Sequence, residues 1–107
     1  RPHNSGHYTI EACSMDQFDA HIRGIAGWPL EQPQLLKPAV MVNVLGQHVA
    51  PTRALIADHP EWNVHDYCKA EVRHDRKMGH ITVLTDDTAK TVADLEATGC
   101  WDDLKKA

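Results

Sequence analysis

Pro38 and Gly46 bracket seven residues, Ala-Val-Met-Val-Asn-Val-Leu, and this short run limits the fold most. Valines at 40, 42 and 44 are stiff at χ1 and favour an extended backbone. Pro38 disfavours helix immediately before them. A buried strand over 39–45 is therefore predicted, and a strand requires partners. Two lie downstream. "NVHDYCKAEV" alternates polar and apolar residues, "RHDRKMG" is a polar turn, and "HITVLT" reads as the strand returning from it. The expected sheet contains 39–45, 63–69 and 79–85, the last two joined by a charged loop with Gly79 at its end.

Helical signals fill the gaps. "APTRALIADHP" reads as a short helix, with Pro51 near its first turn and Pro60 ending it. Asp86 or Asp87 caps a last helix over 87–98, whose apolar face is Ala89, Val92, Leu95 and Ala97; Trp101 and Leu104 extend the packing. This helix should cover only part of the sheet and leave an apolar surface. Near the N-terminus, "HYTIEAC" alternates over Tyr8, Ile10 and Ala12 and is predicted to be a strand or strand end. Ser14 is predicted as a helix N-cap completed by Gln17 three residues on, a capping box. Met15, Phe18, Ile22 and Ile25 then form one helical face, stopped by Gly27 and Pro29. Residues 29–38 carry three prolines and read as a linker. The fold class is α+β, with a boundary that separates residues 1–30 from 31–107.

Composition excludes several classes. The 107 residues make one domain or part of a larger chain, and 42% are apolar, too many for a disordered segment. The net charge of −4 speaks against nucleic acid and against an anionic membrane surface. Basic residues are clustered locally in "KAEVRHDRK", which suits a small anion better than a polyanion. Cys13, Cys68 and Cys100 form no CxxC pair and fit a reducing compartment. No apolar run approaches the roughly 20 residues a membrane span needs, and no signal-peptide layout is present. A cytoplasmic protein is expected. The first residue is Arg1, without an initiator methionine, and a fragment is expected.

Two polar strings carry candidate chemistry. In "RPHNSGH", His3 and His7 have H-x-x-x-H spacing, but Pro2 and Gly6 oppose the helix that would bring both to a zinc ion, and no third ligand is placed. A turn built by Asn4, Ser5 and Gly6 is a second reading. An anion site is the third: Arg1 offers a planar fork, and His3, on the same side of an extended chain, adds a donor or a base near neutrality. In "CKAEVRHDRKMGH", Lys69, Arg73, Arg76 and Lys77 surround a turn opposed by Glu71 and Asp75. They form either a solvated hairpin tip or a cationic loop in which Gly79 admits a ligand close to the backbone. No metal-ligand set, nucleophile elbow or glycine-rich phosphate loop is present.

HNSGH, MVNVLG and RKMGH, in that order, resemble the 5-(carboxyamino)imidazole ribonucleotide synthase family, ATP-grasp ligases that act as the ATPase subunit of phosphoribosylaminoimidazole carboxylase. The resemblance covers nearly the whole chain. It implies that residues 1–30 end an ATP-grasp core and that 31–107 form a small C-terminal β-rich domain. It implies a ligase that joins 5-aminoimidazole ribonucleotide and bicarbonate at the expense of ATP, through carboxyphosphate. Arg1, His3 and Lys77 match catalytic positions at the bicarbonate or carboxyphosphate; Asn4, Ser5, Lys69 and Arg76 match substrate-binding positions, the last two near the ribonucleotide phosphate. ATP and magnesium are the implied cofactors, held outside this stretch, so the chain alone is expected to be inactive. A homodimer is implied. Two alternatives remain open: a non-catalytic anion-binding or docking module, and another bicarbonate-using ATP-grasp carboxylase. The chain departs from the family at Asp75, where glycine is usual, and at Cys68, where glycine or aspartate is common.

Overall fold

The computed structural model describes residues 2–103. Arg1 and Leu104, both singled out above, lie outside the described residues. The elements are α1 (Thr9–Ala12), α2 (Gln17–Ala26), β1 (Ala39–Leu45), α3 (Val49–Leu55), β2 (Asn63–Asp66), β3 (Lys77–Leu84) and α4 (Thr88–Ala97), with 3₁₀ turns at Asn4–Gly6, Gly46–His48 and Ile56–Asp58. β3 is the central strand, with β1 and β2 antiparallel on its two sides. The fold is α+β, and the three strands expected from sequence form one sheet.

One face of the sheet is apolar. Val44, Ile81 and Val83 pack with Trp62, Leu95, Cys100 and Trp101, and Val40, Val42, Val49 and Leu55 close the edges. Strand alternation places the valines of β1 on this face. The Trp101 indole N–H donates to the Asn43 carbonyl at 3.0 Å, so the largest ring is also held by direction. Asp87 caps α4 by accepting from the Lys90 N–H at 3.0 Å. Of the helical face expected on α4, only Leu95 is buried; Val92 is 42% exposed. Among the described residues no helix is long and apolar enough to cross a membrane.

Three sequence readings need correction, two of them near the N-terminus. Residues 9–12 are helical rather than extended. Over five residues an alternating pattern also satisfies part of a helical one, and Thr9 favours the turn by donating its hydroxyl to the Gly6 carbonyl at 2.6 Å. Ser14 does not cap α2. Asp16 does, accepting from the Asp19 N–H at 2.8 Å, while Ser14 holds Gln34 through two bonds of 2.9 Å. β2 ends at Asp66 rather than at residue 69. The Asp66 carboxylate accepts from the Cys68 N–H at 2.7 Å, and Cys68 adopts a left-handed backbone, φ 55°, that no strand can carry. The apolar stripe expected here is largely exposed: Ile22 and Ile25 are mostly open, Phe18 is partly covered by the His7 ring at 5.6 Å, and only Met15, just before α2, is buried.

Candidate functional site

The second face of the sheet is polar at its centre. Asn43, His80 and His65 stand opposite one another across β1, β3 and β2. The segment from His3 to Glu11 lies over this row. The Asn4 amide donates to Asn43 Oδ1 at 2.7 Å and accepts from the Tyr67 hydroxyl at 3.3 Å. The Tyr67 oxygen is 2.9 Å from His80 Nδ1. With the phenol proton directed at Asn4, His80 donates from Nδ1 and its buried Nε2 is a bare lone pair with no hydrogen-bond partner among the described residues. Burial first, and then the neighbouring imidazoles of His65 and His7, push the His80 pKa down to about 4. His65 stacks on His80 at 4.5 Å and hydrogen-bonds Glu11 through Nε2; His7 lies 4.8 Å from His80 on another side.

His3, Asn4 and Ser5 form a tight turn. His3 Nδ1 accepts from the Ser5 N–H at 3.2 Å and lies 3.0 Å from the Ser5 hydroxyl. The turn expected at Asn4–Gly6 is present, and both side chains, His3 and Ser5, are exposed. His3 and His7 do not converge on a metal: one ring caps the turn and the other accepts from Gln17 at 2.8 Å. Among the described residues no three His, Cys, Asp or Glu side chains are arranged to hold a metal ion. The described residues therefore do not fit the magnesium that the resemblance implies.

The basic loop, residues 67–76, meets this turn through Tyr67. Lys69 donates to the Lys77 carbonyl at 2.5 Å and sits 5.7 Å over the Tyr67 ring. Arg76 donates to the Glu71 carbonyl at 2.9 Å, and Arg73 pairs with the Glu71 carboxylate at 2.7 Å. Lys77 is exposed, and no described residue hydrogen-bonds its ammonium. Its charge, after burial, His65 and His3, helps hold the His7 pKa below its usual value, which puts the cation within electrostatic reach of the N-terminal turn. Asp75 is left-handed, φ 62°, and Gln47 reads both ends of it, accepting from its N–H and donating to its carboxylate at 2.8 Å each. Gly46 makes room for this loop: a Cβ there would lie 1.8 Å from the Arg73 carbonyl oxygen.

Gly79 does not serve the role expected of it. It lies inside β3, where a Cβ would stand 2.3 Å from the His65 carbonyl, so glycine admits the neighbouring strand rather than a ligand. Sequence reasoning missed Tyr67, His65, His80, Asn43 and Glu11 as parts of the site. One signal was available: Asn43, His65 and His80 are each polar within an apolar strand, and antiparallel register can bring such positions into one row. The arrangement gathers an exposed imidazole, a turn of polar groups and an uncommitted ammonium at one end of the polar face, a setting that suits an oxyanion.

Comparison with known proteins identifies the family. A family model described as the phosphoribosylaminoimidazole carboxylase C-terminal domain matches residues 39–94. The N5-carboxyaminoimidazole ribonucleotide synthase of Staphylococcus saprophyticus is 55% identical over 92 residues, 85% of this chain and 24% of that protein. The crystal structure of the Staphylococcus aureus synthetase complexed with ADP superposes with a TM-score of 0.88 at 50% identity, over 92% of this chain and 26% of that one. The Aspergillus clavatus synthase in complex with ADP and 5-aminoimidazole ribonucleotide gives 0.79 at 34% identity, over 92% and 28%. The chain thus spans about a quarter of the length of these relatives. More than half of its residues fall within the one family match, and the chain belongs to the phosphoribosylaminoimidazole carboxylase C-terminal domain family.

Proposed function

We propose that this chain is the C-terminal part of an ATP-dependent carboxylating ligase of purine biosynthesis, which converts 5-aminoimidazole ribonucleotide, bicarbonate and ATP to the 5-carboxyamino product, ADP and phosphate. The observation that carries the reading is the junction on the polar face, where Tyr67 at the root of the basic loop meets Asn4 in the N-terminal turn at 3.3 Å. In the proposed reaction a bicarbonate oxygen attacks the terminal phosphorus of ATP, and ADP leaves. The amine of the ribonucleotide then takes the carboxyl carbon of carboxyphosphate, and phosphate leaves. Carboxyphosphate hydrolyses readily in water, so fixed donors and a dry setting are needed. His3 and Lys77 supply donor and charge at the carboxyphosphate, with Arg1 as the third member. Lys69 and Arg76 face the ribonucleotide phosphate, and Asn4 and Ser5 shape the turn against the substrate. Nucleotide and magnesium are held by residues beyond this stretch, in a cytoplasmic homodimer whose ATP-grasp core ends at residues 1–30 and whose small domain is 31–107.

The test belongs in the full-length protein. Lys77→Met keeps the aliphatic stem and deletes the charge. Phosphate release that depends on 5-aminoimidazole ribonucleotide should fall by about 100- to 1000-fold, or ~3–4 kcal/mol, with ATP affinity unchanged. Arg1→Lys should be nearly as harmful, because a point charge does not reproduce a bidentate fork. Turnover of the Lys77 variant within threefold of the parent would return the loop to a solvated hairpin tip.

A further inference from the structure

Gln17 stands first in α2, yet its side chain contributes nothing to that helix's cap, which Asp16 supplies. Its amide turns back onto the N-terminal turn. Oε1 accepts from the His3 N–H at 2.7 Å, and Nε2 donates to the His3 carbonyl at 2.8 Å. The second Nε2 hydrogen goes to His7 Nδ1 at 2.8 Å. Every bond the side chain makes is to the turn, and together they fix which end of the amide is which. The His3 backbone is extended and carries no strand partner, so the amide takes the place of one. Gly6 is part of the same device, since a Cβ there would lie 2.7 Å from Gln17 Oε1.

We infer that Gln17 is a positioning residue for the anion-binding turn: it clamps the backbone of His3, and so the direction of the His3 ring, and holds His7 as the tautomer with Nδ1 bare and Nε2 protonated. The inference rests on the proposed carboxylation reading for its effect on turnover. The clamp itself stands on geometry alone. Gln17 acts through His3 and His7, the residues its side chain bonds. A loop residue displaced by about 1 Å can cost on the order of 100-fold in rate, and nothing else among the described residues bonds the His3 N–H.

The experiment uses the full-length protein with Gln17→Ala and Gln17→Glu. The second keeps an acceptor for the His3 N–H and removes both donors. In ¹⁵N-histidine spectra the parent should show His7 as a single tautomer with unprotonated Nδ1, and both variants should lose that signature. Turnover in 5-aminoimidazole ribonucleotide-dependent phosphate release should fall about 100-fold, with the KM for ATP within twofold and the melting temperature within a few degrees. A His7 tautomer unchanged in both variants overturns the inference, as does turnover within threefold of the parent. If the parent shows no such phosphate release, the carboxylation reading falls, and the His7 signature alone decides the clamp.

Discussion

The two faces of this one sheet are built on opposite principles. Behind β3, Ile81 and Val83 pack into valines, leucine and two tryptophans, and the free energy comes from removing apolar area from water. In front of it, His80 and Thr82 are as fully buried, 1% and 0% exposed, but their neighbours are imidazoles, amides and a phenol. A buried polar group is costly unless its hydrogen bonds are made; His80 makes one through Nδ1, while its Nε2 and the Thr82 hydroxyl have no hydrogen-bond partner among the described residues. Position is therefore specified by distance and direction on the front face and by volume on the back. The front face suits a site, because a turn held by directional bonds can be fixed where a reaction needs it.

The largest effect is expected from breaking the back face. Trp101 is 7% exposed, stacks edge-on to Trp62 at 6.5 Å and donates to the Asn43 carbonyl. Trp101→Ala should cost about 3–5 kcal/mol, a large part of the stability a chain of this size has. Urea titration of this chain is the measurement. A loss below about 1 kcal/mol would mean that the back face is not the principal core.

The front face should break in acid. The unfolded chain takes up a proton on His80 near the ordinary histidine pKa of 6.5, whereas the folded chain resists until about 4. Stability is then complete above pH 6.5 and falls as the pH drops toward 4, by about 3 kcal/mol at ~1.4 kcal/mol for each tenfold in proton concentration. His65, His7, Tyr67 and the Glu11 carboxylate are the titratable groups around this ring. The His7 pKa is lowered in the same direction and steepens the loss. Carboxylates such as Asp66 and Glu71 are held below their usual values, so their contribution disappears at still lower pH. Urea midpoints at pH 7.5, 6, 5 and 4.5 check this, and His80→Gln should flatten the slope. An equally steep slope in that variant would place the acid-sensitive group elsewhere.

How far sequence reasoning reached follows the same division. The back face was legible because apolar alternation is a property of single strands: Val40, Val42 and Val44 announce β1 without knowledge of any partner. The front face was not, because His80 matters only once Asn43 and His65 stand beside it, and pairing register is not written in any one strand. Gln17 shows the point at its sharpest. Its spacing from Ser14 satisfied a capping box, but Asp16 was better placed to accept from the first turn, and the glutamine was left to bond residues ten and fourteen positions upstream. Of the candidate site, Asn4, Ser5 and the basic loop were legible as polar strings; their meeting through Tyr67 was not.

The smallest predicted effect concerns the loop that joins the two faces. Cys68 and Asp75 are its non-glycine residues with left-handed backbones, φ 55° and 62°, at the positions where the family resemblance implies glycine or aspartate and glycine, respectively. A side chain in that region costs about 1–2 kcal/mol, and glycine returns part of the gain by loosening the unfolded chain. Cys68→Gly should therefore stabilise the chain by about 0.5–1 kcal/mol, since the exposed thiol makes only a 3.6 Å contact with the Asp66 carbonyl. That is on the order of 4 °C in melting temperature for a domain of this size. Asp75→Gly gains the same backbone relief but loses the carboxylate that accepts from Gln47, so its net effect should lie near zero. The Asp75 carboxylate also lies 3.2 Å from His74 Nδ1, so the difference between the two variants measures what that carboxylate's contacts contribute to holding the loop. Equal shifts in thermal melts of both would show that the Asp75 carboxylate contributes nothing, and that the loop is shaped by its backbone and by Gly46.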